Sequence, residues 1–418
     1  MRMALRALLV VGLSVTPAGA QSIAGDWAMS VYEAFGTNLT RLSLAVNGET
    51  VTGMVTGRPL EGSYARGTLT FKVRNATATG ALDGAGLKGD LVFPDRTVKW
   101  TAVRIPPPPA VARTHEFEPT AFQLYFSSKA EPPLRIHPGD TVRTWSVDAG
   151  GVDRNGTRRS QGGNPQTGPF YVEGAMPGDT LVVRLTRVRL NRGWAQSGSR
   201  VVGRALEPGT LVKWDDNFSS RWTLDTARGV ATLEKPTAPL GRLTIPLQPM
   251  LGCIGVAPQG ESSVRTTDSG SFGGNMDYNL LREGTTVYLP VYHPGALLFV
   301  GDGHAAQGDG ELTGDALETS MDIEFTVDLI RDRSFGHPLA ENSEFLISIG
   351  IAGSIDQALQ QATSGMMRWL ERDYKLAGSD AAMVLGFALK YDVVDLVGTQ
   401  VSVAAKVPKS ALAPLKGN

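Results

Sequence analysis

FVGDGHAAQGDGELTGDALETSM, residues Phe299 to Met321, sets Asp302, His304, Gln307, Asp309, Glu311, Asp315 and Glu318 among glycines, directly after an apolar run that reads as a strand. The chain has only five histidines, and one of them stands here two residues from a carboxylate. If the backbone of 301–305 is extended, Asp302 and His304 share a face, because alternate residues of a strand point the same way. A carboxylate and an imidazole aimed into one pocket suit Zn²⁺ or a similar divalent cation. The glycines at 301, 303, 308 and 310 let the backbone turn tightly and come close to a ligand. The competing reading of the same letters is an acidic, glycine-rich surface loop between strands.

Four upstream blocks decide between these readings. They are HPGDTVRTWSVDAGG (His137 to Gly151), NPQTGPFYVEGAMPGDTLVV (Asn164 to Val183), IPLQPMLGCIGVAP (Ile245 to Pro258) and GGNMDYNLLREGTTVYLPVYHPGALLF (Gly273 to Phe299). With the His304 segment, and in this order, they resemble the acetamidase/formamidase family from about residue 112 to the C-terminus. The resemblance implies a β-rich catalytic fold with a few C-terminal helices, a small amide as substrate, a divalent metal and a homo-oligomer. The sequence departs from the family pattern at Phe272, where a smaller or histidine-like residue is expected, and in carrying an extra N-terminal unit. Both departures point to a substrate larger or less polar than formamide.

The candidate chemistry is spread over three blocks. Asp148 ends the first strand of the resembling region, Asn275 and Asp277 stand in GGNMD, and Asp302 stands with His304. Asp302, His304, Asp277 and Asp148 are the expected metal ligands, for Zn²⁺ first and Ca²⁺ as the alternative. Glu318, Glu311 and Asp148 are the carboxylates available for proton transfer, and Asn275 and Gln307 the amides expected to meet substrate. Each has a structural competitor: Asp148 could cap the turn Ala149-Gly150-Gly151, and Asn275 could stabilise the backbone after two glycines. Other amide-hydrolysing arrangements are missing from the sequence: there is no G-x-S-x-G elbow and no H-E-x-x-H. The single cysteine, Cys253, lies in LGCIGVAP with no basic neighbour to lower its pKa, and reads as a packing residue.

The 418 residues carry a formal net charge of -1, which excludes a strong electrostatic case for nucleic-acid or anionic-membrane partners. Forty-nine glycines and 25 prolines imply many turns and short strands. Residues 1–20 read as a secretory signal peptide. Arg2 and Arg6 supply a positive start, Ala4 to Val15 is mostly apolar, and Ala18-Gly19-Ala20 offers a small-residue cleavage site. The apolar run is too short to span a bilayer. Export to the periplasm or beyond is therefore expected.

Residues 21–104 read as a small all-β accessory unit, an antiparallel barrel or sandwich. Alternating runs at Leu42–Val46, Val51–Val55 and Leu91–Phe93 are separated by turn letters at Asn47-Gly48, Asp83-Gly84 and Lys88-Gly89-Asp90. Residues 105–111, with prolines at 106 to 109, read as an extended linker, and 112–418 as the catalytic unit. Within it, Pro138-Gly139 and Pro177-Gly178 fit turns that Asp140 and Asp179 cap. Strands are expected at Leu181–Leu190, 285–291 and 322–330. Ser354 with Gln357 marks a helix start, followed by an apolar stripe at Ile355, Leu359, Ala362, Met366 and Leu370. A second helix is expected at 380–389 and a last strand at 400–407. A chain that kept the metal pocket but only binds its ligand, without turnover, is the competing function.

Overall fold

The computed structural model describes residues 22–415, so the signal-peptide reading of 1–20 lies outside the described residues. The chain divides into two compact units, the first running to Arg104 and the second from Ile105, with Leu39–Arg41 grouped with the second.

Eight strands, from Gly25–Glu33 to Thr97–Arg104, close the first unit into an antiparallel barrel, with the first strand paired to the last in the register Trp27↔Arg104. Closure leaves no unpaired edge, which settles the choice between barrel and sandwich. Trp27, Trp100, Phe71, Leu42 and Val51 fill the interior. Six of the seven connections are two-residue turns, the last being the four residues 93–96, and at Thr56-Gly57 and Arg66-Gly67 both residues have positive φ, the backbone that matches strand twist in tight hairpins. One expected turn is corrected: Lys88-Gly89-Asp90 lies inside the strand Gly86–Val92. Gly89 is needed there for close approach, since a Cβ would sit 1.8 Å from the Thr79 carbonyl oxygen.

In the second unit, residues 105–113 hold neither helix nor strand. Beyond them lie an eleven-stranded and a nine-stranded sheet. Val142, Leu181, Val183, Phe325 and Val327 of the nine-stranded sheet form one core with Phe170, Leu251, Leu298 and Phe299 of the other. The alternation read at 322–330 is real: Ile323, Phe325 and Val327 are buried within Met321–Ile330, whereas Leu329 is half-buried. Asp140 accepts from the backbone N–H of His137 at 2.9 Å and Asp179 from that of Met176 at 2.9 Å, closing the two Pro-Gly turns as expected.

The long helix Ile355–Tyr374 begins at Ser354, whose hydroxyl accepts from the Gln357 N–H at 3.3 Å. Its buried stripe is Ala358, Ala362, Met366, Trp369 and Leu370. Ile355 and Leu359 are exposed, because the small Ala358, not the larger neighbours, is what fits against the sheet at that turn. A second helix spans Ser379–Ala388 and the last strand Val401–Pro408. Among the described residues no helix is long and apolar enough to cross a membrane.

Candidate metal centre

The strand Leu298–His304 places the centre. All seven residues are buried, and its first three are core side chains. Its glycines are forced by close neighbours: a Cβ on Gly301 would meet Gln166 Oε1 at 2.7 Å, and one on Gly303 the Met321 Cβ at 2.8 Å. Asp302 is not extended; its φ is 58°. Asp302 and His304 nevertheless point into the same cluster, with Oδ1 and Nε2 3.5 Å apart. The neighbouring strand Met250–Gly255 runs antiparallel and sets Gly252 opposite Asp302. A Cβ on Gly252 would lie 2.3 Å from Asp277 Oδ1 and 2.7 Å from Asp302 Oδ2. Only glycine leaves room there for two carboxylates.

Register supplies the next group. Glu318 pairs directly with His304 across the ladder, and its Oε1 lies 3.1 Å from Nε2. Asp277 follows the strand Gly273–Asn275, and its N–H donates to the Gly252 carbonyl at 3.0 Å. Glu311 comes from the loop after His304. The Ala316 N–H donates to both Glu311 Oε1 (2.9 Å) and Glu318 Oε1 (3.0 Å). Asp277, Asp302 and Glu311 all hold left-handed backbone, with φ of 46°, 58° and 47°. Such conformations cost energy in non-glycine residues and gather at functional sites.

Two overlapping groups result, Asp277–His304–Glu311 and Asp302–His304–Glu318, with the ligand atoms of each within 4.8 Å of one another. Asp277 Oδ1, Asp302 Oδ1 and Glu318 Oε2 are buried without a hydrogen-bond partner. Orphaned carboxylate oxygens in the interior are costly, and a cation among them removes that cost. The donor set of carboxylates and one imidazole fits Zn²⁺ or another hard-to-borderline divalent ion.

The titration of these groups follows from burial and crowding. Burial opposes a charged His304, but the Glu318 and Asp302 carboxylates outweigh it and hold the imidazole well above its ordinary value. Burial raises Glu318, His304 pulls it back and Asp302 adds to the rise, leaving it at about 7. Burial also drives Asp277 and Glu311 well above the usual carboxylate range.

Other expected site residues fall elsewhere. Asp148 is buried but spent: Oδ2 accepts from Arg192 at 2.6 Å and Oδ1 from the Val152 N–H at 2.8 Å. It belongs to neither of the two groups that could hold a metal ion and lines a neighbouring cavity with Asn164 and Glu318. Asn275 donates to Asp277 and accepts from Asn164, so its amide serves the carboxylates. Gln307 accepts from His304 and donates to the Asp277 carbonyl. Asp309 is exposed and accepts from Asn279. Cys253 is buried and its thiol is raised by burial. Phe272 packs in the core against Phe126, ring centroids 5.2 Å apart, and is absent from the cavity walls described here. It therefore supplies no ground for an altered substrate.

Sequence reading missed Asn164, which donates to Asp302 Oδ2 at 3.0 Å, as well as Gly252 and Arg192. Asn164 lies inside a quoted block, and its place between Gly163 and Pro165 was the available signal. Asn164, Asn275, Asp302, Glu311, Asp315 and Glu318 line one polar cavity of about 440 Å³.

Residues 256–347 match the model of the Acetamidase/Formamidase family. The acetamidase of Mycolicibacterium smegmatis is 26% identical over 267 residues, which is 46% of this chain and 62% of that protein. Matches to curated relatives span 35% to 62% of those proteins' own lengths. Among solved structures, an acetamidase from Yersinia enterocolitica is 28% identical with a TM-score of 0.60, covering 72% of this chain and 93% of its own. An acetamidase from Bacillus halodurans is 27% identical with a TM-score of 0.60, covering 72% and 99%. The resemblance to the Acetamidase/Formamidase family is thus borne out, in the segment that carries Asp277, Asp302, His304, Glu311 and Glu318 and in the β-rich fold around it.

Proposed function

We propose that the chain is a metal-dependent amidase, converting a linear amide and water into a carboxylate and ammonium. The observation that carries this reading is the set of three unpartnered, buried carboxylate oxygens around His304, two of them on residues, Asp302 and Glu318, that line a polar cavity. A divalent ion bound there would polarise the amide carbonyl and increase the acidity of water. His304 with Asp277, Asp302 and Glu311 would hold it. Glu318, whose carboxylate lies 3.1 Å from His304 Nε2 and lines the polar cavity, is placed to take a proton from the attacking water and return it to the departing nitrogen. Asn164 and Asn275 orient Asp302 and Asp277. Asp148 acts from further back, fixing Arg192, which donates to the Glu318 carbonyl at 3.2 Å.

Elemental analysis of purified protein together with an ammonia assay on formamide and acetamide, before and after a strong chelator, tests the proposal. Bound divalent metal and chelator-sensitive ammonia release are expected. Bound metal with no ammonia from a broad panel of small amides would favour ligand binding without turnover. Export and a homo-oligomeric state complete the proposal, the first resting on the leader-like residues 1–20 and the second on the family resemblance. Mass measurement of secreted protein should give an N-terminus at Gln21, and light scattering more than one chain per particle.

A further inference from the structure

Beside the metal centre lies a second cavity of about 530 Å³ with a different lining, within the size range of small-molecule sites. Its walls come from the strands Arg221–Asp225, Val230–Leu233 and Ile245–Pro246, with Trp222, Leu233, Leu240, Ile245 and Phe218 facing it. Its floor is Ala306, two residues after His304, and Ala316 and Leu317, just before Glu318. Small side chains at 306 and 316 keep it open. Two site residues form its inner wall: Gln307, which holds the His304 imidazole, and Glu311, which also lines the polar cavity. An apolar chamber sharing a wall with a polar one that holds the reactive groups can take a molecule with one apolar and one polar end.

We infer that this cavity receives the acyl group of the substrate, and that the preferred amide carries an arylalkyl acyl chain in place of the hydrogen or methyl of formamide and acetamide. Phe218 and Trp222 favour an aromatic ring, which gains from edge and face contacts beyond plain burial. The amide would then lie toward Glu311 and the centre. This inference rests on the amidase reading, but the cavity can be examined separately from turnover.

The experiment has two arms. Ammonia release by the metal-loaded full chain is measured for formamide, acetamide, butanamide, hexanamide and phenylacetamide. Binding of phenylacetate is measured by calorimetry with and without metal. We expect kcat/KM to rise about fourfold per methylene along the linear series and to be highest for phenylacetamide. Leu233→Trp, which puts bulk into the cavity, should lower the phenylacetamide-to-formamide ratio of kcat/KM at least about thirtyfold, chiefly through KM, and weaken phenylacetate binding to match. Ala306→Leu, filling from the floor, gives the same readout if the first variant folds poorly.

Formamide turnover with no preference for larger amides and no phenylacetate binding would overturn the inference while leaving the amidase reading intact. Phenylacetate binding that both variants lose, in a protein that hydrolyses no amide, would keep the cavity assignment and sink the amidase reading. Dissociation of an oligomer by Leu233→Trp, with no ligand effect, would make the cavity a contact between copies and overturn it.

Discussion

The side-chain carbonyl of Gln307 lies 2.8 Å from His304 Nδ1, while its amide nitrogen donates to the Asp277 backbone carbonyl at 2.5 Å. Because that carbonyl only accepts, the Gln307 amide is fixed with its oxygen toward the imidazole. Nδ1 must therefore carry the proton, and Nε2 is turned to Asp302 and Glu318. One glutamine thus sets the tautomer that a metal-binding histidine needs.

Removing that support should loosen the metal without unfolding the protein. Gln307→Met is expected to weaken metal affinity by about 10- to 100-fold, measured by competition with a chelator. His304→Ala should abolish tight binding while circular dichroism stays unchanged, since the imidazole contributes little apolar burial. A His304→Ala protein that keeps its metal and full activity would remove the centre from this account.

Gly252 offers a test through space alone. In Gly252→Ala the new methyl would collide with the Asp277 and Asp302 carboxylates. Metal content should fall sharply, with a stability loss of about 1–3 kcal/mol from overpacking. Metal stoichiometry and denaturant midpoint read the two effects separately, and retention of a full complement of metal would contradict the geometry.

The buried Arg192–Asp148 pair, at 2.6 Å, carries a different expectation. Arg192→Met leaves Asp148 buried and uncompensated and should cost about 3–5 kcal/mol, seen as a lower urea midpoint. Asp148→Asn keeps an acceptor for the Val152 N–H and should cost less. An Arg192→Met protein with an unchanged urea midpoint would mean that the ion pair is not what holds this corner.

His337 gives a pH prediction away from the centre. It is buried, 3.0 Å from the Ser348 hydroxyl, with its Nδ1 accepting from Arg368 at 3.3 Å. Burial, then the Arg368 charge, push its pKa down to about 4, against about 6.5 in the unfolded chain. Between those values the unfolded chain binds a proton that the folded one refuses, so stability rises with pH. The contribution is fully present above pH 6.5 and is lost as pH falls toward 4, by up to roughly 3 kcal/mol. His337→Phe should flatten the stability profile across that window in urea titrations; an unchanged slope would assign the acid loss to other groups.

Local letters carried much of this fold. Alternation marked 322–330 as a half-buried strand, Pro-Gly pairs marked turns capped by Asp140 and Asp179, and Ser354 marked a helix start, because each depends on neighbours within a few residues. Lys88-Gly89-Asp90 misled because its glycine answers to Thr79 on the adjacent strand and not to a turn. Ile355 and Leu359 misled because the sheet surface selected Ala358 for the buried face.

For the centre, the sequence by itself singled out Asp302 and His304 as neighbours two positions apart, but the shared strand face expected of them is not how they meet: Asp302 is left-handed, and its Oδ1 still comes to 3.5 Å from His304 Nε2. Tertiary structure decided the rest. Strand register brought Glu318 opposite His304 and Gly252 beneath Asp302. Arg192, 44 positions from Asp148, took that carboxylate out of the groups that could hold a metal ion, and the strands between Arg221 and Pro246 built an apolar chamber against Glu311. These are pairings over long sequence separations, fixed by which ladders form and which charges must be neutralised when buried, and neither is written in any local pattern of residues.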